Sequence, residues 1–218
     1  MCGPRASGSI AAAGTQIGPA RADSKYAVAR FVAAGEVCAT AAKLTDMTLL
    51  DRLTIVAALT ALNDRLTALG HRAELFLVGG AVMCLVHDAR PATRDVDGWF
   101  TQPEAVRSAA SEVAHDLGLP NDWLNDAAKG FVPANAGYET WANWSNLTIA
   151  TADARTLLAM KAAAARTVED SNDIRFLAGH LALRSADSVL AVVLAYFPAD
   201  RLPVRTRLLL EEMFDEHA

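Results

Sequence analysis

A short apolar run, Glu74-Leu75-Phe76-Leu77-Val78, constrains the fold most, because it interrupts a chain whose other patterns are mostly helical. Its length and its boundary at Gly79-Gly80 are typical of a buried strand that stops in a tight turn. The sequence therefore predicts a sheet, on which the preceding helix packs.

The neighbouring segments alternate between helical and strand patterns. Before the run, apolar residues recur at helical spacing from a cap at Thr48, with Asp51 three positions on, to an end at Gly70. They are Leu49, Leu53, Val56, Leu59, Leu62, Leu66 and Leu69. After the run, residues 81–86 predict a helix. Residues 94–100 predict a second strand with Asp95, Asp97 and Trp99 on one face.

The remainder of the chain is mostly helical in pattern. A helix is predicted over 103–117, an irregular connection over 118–136, and one or two strands over 138–150. Four more helices follow, over 154–166, 170–183, 186–196 and 202–216. This order predicts an α+β fold with a small mixed β-sheet, flanking helices and a C-terminal helical bundle.

Three regions are expected along the chain. Residues 1–23 are predicted to form a flexible tail, residues 24–152 a core with N-terminal helices (one over 24–43), and residues 153–218 a C-terminal helical half. The 52% of hydrophobic residues, much of it alanine, and the 21% of charged residues indicate a folded, helix-rich soluble protein. No stretch has the apolar length of a signal peptide or a membrane span, so no membrane partner is expected.

Charge and cysteine content limit the choice of partners. The formal net charge of -5 gives no overall attraction to nucleic acid and counts mildly against an RNA substrate. Cys2, Cys38 and Cys84 have no spacing suited to a zinc site or a disulfide framework. A reducing, cytoplasmic location is the expectation.

Two aspartates carry the strongest chemical signal. Asp95 and Asp97 are two residues apart on a strand, which places both carboxylates on one face. Carboxylate pairs suit Mg²⁺ or Mn²⁺, which keep other coordination positions for water and nucleotide phosphates. Backbone N–H groups at Gly79-Gly80 are able to face a phosphate. The alternatives are two solvated surface acids and an ordinary tight turn.

Together these motifs resemble the DNA polymerase beta-like nucleotidyltransferase superfamily. Leu77-Val78-Gly79-Gly80, a helix, and then Asp95-Val96-Asp97 stand in the superfamily's order, with a slightly longer spacer. Further on, Leu157-Leu158-Ala159-Met160-Lys161, Arg166 and Asp170-Ser171-Asn172-Asp173 look like the motifs of the AbiEii-type and MenT-type nucleotidyltransferase toxins. The resemblance covers residues 75–177.

The resemblance implies roles for these residues. Asp95 and Asp97 would bind the metal, Gly79 and Gly80 would contact a nucleoside triphosphate (NTP), and Lys161 would hold a phosphate. For Lys161 the alternative is a lysine that snorkels at the edge of an apolar helix.

Other positions stay open at this stage. Either Asp170 or Asp173 matches the family's downstream acid, although an acid pair at this spacing also suits a helix cap. Arg90 and Arg94 are candidates to steady phosphate or to pair with surface acids. Many members of the resembled superfamily carry a third catalytic carboxylate on a later strand. Residues 147–150 hold no counterpart, so the general base is unassigned.

The expected function is transfer of a nucleoside monophosphate from an NTP to an acceptor. Within the resembled group the acceptor would be transfer RNA (tRNA), and the enzyme a toxin with a partner antitoxin. A small hydroxylated molecule such as an antibiotic is an alternative acceptor, and an inactive protein that binds nucleotide or a partner is another alternative. Trp123, Trp141 and Trp144 are candidates for stacking on a base, with a core position as their alternative.

Overall fold

A computed structural model gives the fold of residues 49–164 and 168–215. The predicted tail, the predicted helix over 24–43, Thr48 and Arg166 lie outside these residues. Fourteen elements follow one another: β1 (Leu50–Asp51), α1 (Arg52–Leu69), β2 (Ala73–Leu77), α2 (Gly79–Leu85), β3 (Ala92–Thr93), β4 (Val96–Phe100), α3 (Pro103–Leu117), β5 (Leu124–Asn125), β6 (Tyr138–Asn143), β7 (Leu147–Ala152), α4 (Ala154–Ala164), α5 (Val168–His180), α6 (Ala186–Tyr196) and α7 (Val204–Asp215). The predicted α+β class is confirmed.

Five strands form a mixed sheet in the order β5-β4-β2-β7-β6. Strand β2 is antiparallel to β4 and parallel to β7, with Leu77 opposite Gly98 on one side and Thr151 on the other. The ends of β2 and β7 and the start of β4 therefore share one edge of the sheet. Strands β1 and β3 pair separately as a two-stranded ribbon.

The two faces of the sheet differ in exposure. Leu75 and Leu77 of β2 are fully buried on one face, where they join the hydrophobic core. The opposite face carries Phe76, Asp97, Trp99 and Tyr138, all half-buried. We call this second surface the aromatic face. It is the sheet surface on which a ligand has room to contact side chains.

Helix α1 shows how local sequence sets an element's limits. Asp51 caps it, because its side chain accepts the N–H of Thr54 at 2.8 Å, and this bond lowers the pKa of Asp51. Gly70 ends it in a left-handed conformation. The prediction of Thr48 as the cap was therefore wrong, because the helix begins later, at Arg52.

Helices pack on both sides of this arrangement. Helix α1 contacts α3 and β7, while α4 contacts α5, α6 and α7 to form the C-terminal bundle. Helix α2 contacts β4 and α4, so it lies between the aspartate-bearing strand and the bundle. Across 49–164 and 168–215, every helix is too short or too polar to traverse a bilayer.

Candidate functional site

Asp97 lies beside the glycine turn at the shared edge of the sheet. It is the second residue of β4, and its carbonyl accepts the N–H of Val78 at 2.9 Å. Val78 is the last residue before Gly79, which has a φ of +70°. A Cβ added to Gly79 would lie 3.0 Å from Asp97 Oδ2. The turn and the carboxylate, both singled out from sequence, are thus brought into direct contact.

Asp95 immediately precedes β4 and is half-buried. Its Oδ2 accepts a hydrogen bond from Asn125 Nδ2 at 3.1 Å, and Asn125 stands opposite Asp97 in the pairing of β4 with β5. Asn125 Oδ1 in turn accepts the N–H of Ala127 at 3.0 Å, which fixes the orientation of the amide. Asn125 therefore positions Asp95, although the sequence prediction did not include it. Its only signal was an Asn in a connection of irregular pattern.

Gly80 joins the turn to a cationic residue. A Cβ at Gly80 would collide with Thr93 Oγ1 and would lie 3.6 Å from Arg90 Nη1. The absence of a side chain at Gly80 thus makes room for Thr93, and the guanidinium of Arg90 lies within van der Waals reach of the same turn. Arg94, the other predicted phosphate ligand, is exposed at the end of β3.

Four charged side chains form a neutral cluster behind this turn. Arg90 Nε donates to Asp173 Oδ1 at 2.8 Å, and Arg90 Nη2 lies 2.7 Å from Asp173 Oδ2. Lys161 Nζ lies 2.9 Å from both Asp173 Oδ2 and Asp170 Oδ1. At Asp173 Oδ2 the two ion pairs lack the angles of a good hydrogen bond, so Coulomb attraction holds this atom. We call these four residues the charge cluster.

Burial distinguishes the members of the charge cluster. Asp173 is only 2% exposed, whereas Lys161 and Arg90 retain 12% and 19%. Helix α5 begins at Val168, so Asp173 lies in its second turn and does not cap it. Asp173 therefore joins α5 to both α4 and the segment before β3. Beside it, Arg90, Pro91 and Asn172 line a cavity of about 300 Å³.

A further carboxylate, Asp153, follows β7 at the same edge of the sheet. Its Oδ1 accepts the N–H of Thr156 at 2.7 Å, the arrangement of an N-cap for α4, and its Oδ2 packs against Gly137. Asp153 is thus committed to the start of a helix.

The three tryptophans that were candidates for stacking differ in burial, and Trp123 takes the core position that was its alternative. Trp123 is fully buried and its Nε1 donates to the Ala110 carbonyl at 3.0 Å, so it has no free face for a base. Trp141 and Trp144 pack edge to face against each other. Trp99, which the sequence placed beside the aspartates without a role, is half-buried on the aromatic face. Burial raises the pKa of neighbouring Tyr138, whose hydroxyl accepts a hydrogen bond from Trp99 Nε1 at 3.1 Å.

The chemistry of Asp95, Asp97 and Gly79 fits a hard divalent cation. Both carboxylates offer oxygen ligands, and the missing side chain at Gly79 leaves a cradle against Asp97 that a Cβ would fill. Mg²⁺ usually takes one or two protein carboxylates and completes its shell with water and phosphate oxygens. Within the described ranges, His, Cys, Asp and Glu side chains form no group of three or more suited to a metal.

No protein-family model matches the chain. Searches of curated proteins and of solved structures likewise give no match.

Proposed function

We propose that the protein is a divalent-metal-dependent nucleotidyltransferase that moves a nucleoside monophosphate from an NTP to a hydroxyl acceptor. One observation carries the proposal: Asp97 lies against Gly79, at the edge where Asp95 also stands. A cation held by Asp95 and Asp97 would supply charge neutralisation for the triphosphate and polarise its α-phosphorus. The resemblance of the motif order to the superfamily supports the same chemistry.

The chain's own residues would bind and orient the substrates. Gly79 and Gly80 expose backbone beside Asp97, and Arg90 lies next to that turn and shares Asp173 with Lys161. Asp170 and Asp173 fix the positions of those cations, so that a phosphate meets a preorganised pair. The acceptor oxygen forms a bond to the α-phosphorus, pyrophosphate leaves with the electrons of the broken P–O bond, and the hydroxyl proton passes to solvent.

For the acceptor we propose tRNA, with a cognate antitoxin as the protein's partner. The support is the resemblance of residues 157–173 to the toxin-type enzymes. NTP, Mg²⁺ and tRNA occur together in the cytoplasm, which is the location the proposal requires. A small hydroxylated acceptor is the competing choice, favoured by the net charge of -5.

One experiment tests reaction, donor and acceptor together. Purified protein is incubated with each α-labelled NTP, Mg²⁺ and total RNA, and the products are separated into RNA, protein and small molecules. The wild type is expected to put label into tRNA. The label should be lost when EDTA is added and when Asp97→Asn replaces the wild type. The exposed Asp64→Asn is the matched control and should keep wild-type transfer. Absence of label from every fraction, or full transfer by Asp97→Asn, would overturn the proposal.

A further inference from the structure

A cavity of about 480 Å³ lies on the aromatic face, next to the candidate metal site. The connection from β5 to β6 leads from one edge strand of the sheet to the other, and its residues Lys129, Val132, Pro133 and Ala136 line this cavity opposite Trp99 and Tyr138. The volume is within the range of sites that hold small organic ligands. The sheet and the connection thus line an open cavity that the charge cluster does not use.

The Trp99 ring forms a fixed, flat wall of the cavity. Phe76 stacks on it with ring centroids 3.9 Å apart and planes inclined by 6°. The Nε1–H group of Trp99 donates a hydrogen bond to the hydroxyl of Tyr138. Because Phe76 covers one side of the indole, a ligand meets the other side or the edge. A preorganised aromatic surface of this kind suits another flat ring, since stacking needs no reordering of the side chain.

The remaining walls restrict the ligand further. Val132, Pro133, Ala134 and Ala136 are apolar, and Lys129 is the charged side chain among the lining residues. An uncharged flat ring that carries a phosphate satisfies both features, because the ring meets the apolar wall while the exposed ammonium of Lys129 attracts the anion. A nucleotide has this combination.

The position of the cavity links it to the chemistry. Trp99 and Asp97 are two residues apart on the same face of β4, a separation of roughly 6.6 Å between their Cα atoms. A base stacked at Trp99 therefore places the sugar and phosphate of the same nucleotide near Asp97. No other tryptophan in the described part of the chain lies on β4 with Asp97.

We propose that the cavity between Trp99 and residues 129–136 is a nucleobase-binding subsite. This subsite rests on the proposed function, because its base belongs to a substrate of that reaction. The base comes either from the NTP donor or from an unpaired end of an RNA acceptor. Both sources present the same ring to Trp99. Aromatic platforms bind unpaired bases with little preference among them.

Binding without catalysis tests the subsite separately from the reaction. The four ribonucleoside 5′-monophosphates are titrated into the full chain in EDTA, with calorimetry as readout. Trp99→Leu is expected to weaken binding about tenfold, a loss typical of a removed stacking partner. Trp144→Leu removes a half-buried tryptophan outside the cavity and should stay at wild-type affinity. Ala136→Phe, which fills the cavity and keeps Trp99, should weaken binding equally and covers the case in which Trp99→Leu misfolds.

Steady-state transfer distinguishes the two sources of the base. A raised KM for NTP in Ala136→Phe assigns the subsite to the donor, and a raised KM for a short single-stranded RNA assigns it to the acceptor. If both cavity variants bind monophosphates and transfer label as the wild type does, the subsite proposal fails and the reaction stands. If the wild type binds monophosphates through Trp99 and transfers nothing, the proposed reaction fails and the subsite stands.

Discussion

Gly79 is the residue at which backbone conformation and chemistry meet. Its φ of +70° is a left-handed value that a side chain disfavours, and its Cα faces the carboxylate of Asp97. Gly118 has a similar φ of +64° at the end of α3, but a Cβ there would meet nothing within 4 Å. The two glycines therefore separate the cost of backbone strain from the cost of contact with Asp97.

Gly79→Ala and Gly118→Ala should each destabilise the fold by about 1 kcal/mol through backbone strain, because both force a left-handed alanine. Only Gly79→Ala should also lose nucleotide transfer, since its methyl displaces the Asp97 carboxylate. Thermal melting and labelled-NTP transfer measure the two effects. Equal transfer by both variants would show that the contact between Gly79 and Asp97 does not affect nucleotide transfer.

Asn125 acts on Asp95 through its side-chain amide. In Asn125→Ala the carboxylate of Asp95 loses its donor, so the Mg²⁺ concentration for half-maximal transfer should rise roughly tenfold or more, as for other residues that orient metal ligands. Asn146→Ala removes an amide that donates to the His71 carbonyl, at the opposite end of the sheet from Asp95, and should leave the Mg²⁺ dependence unchanged. A Mg²⁺ titration that coincides for both variants would contradict a positioning role for Asn125.

At the scale of elements, the charge cluster joins α4, α5 and the segment before β3. Asp173 is the buried anion that holds Arg90 and Lys161 together. Removal of one partner from a buried ion pair leaves an uncompensated charge, which costs far more than the loss of a surface pair. The cluster therefore makes the cation positions depend on the packing of α5.

Asp173→Asn should lower the free energy of unfolding by about 3 kcal/mol. Glu211→Gln breaks an exposed pair with Arg207 and should change stability by less than about 1 kcal/mol. Urea denaturation followed by circular dichroism compares the two. A similar midpoint for both variants would show that Asp173 is not a buried electrostatic link.

Strong local signals made several elements predictable from sequence. Helices α3 and α6 have the predicted limits, because Pro103 and Gly118 mark the ends of α3 and Ser185 caps α6. Strands β1, β3 and β5 were missed, because each has only two residues and is too short to show an alternating pattern. Burial of Trp123 was one of two alternatives that the sequence left open, because a buried and an exposed tryptophan look alike in a connection of irregular pattern.

At the scale of the whole molecule, contacts distant in sequence assemble the site. The sequence patterns predicted the elements that bear Asp97, Gly79 and Lys161. They did not predict the pairing of Arg90 with Asp173, which are 83 residues apart. The aromatic face was also beyond sequence reasoning, because Trp99 and Tyr138 meet only through the strand order of the sheet. Periodicity fixes elements, whereas tertiary contacts decide which side chains meet.

The central claim is that Asp95 and Asp97 jointly hold a divalent ion that carries the nucleotide. Electron paramagnetic resonance of Mn²⁺, titrated with protein and a non-hydrolysable NTP analogue, measures the bound ion directly. The wild type and Asp64→Asn should both deplete the signal of free Mn²⁺ with the analogue present. Asp95→Asn and Asp97→Asn should each weaken Mn²⁺ binding at least about tenfold. Equal depletion by the wild type and both of these variants would contradict the claim.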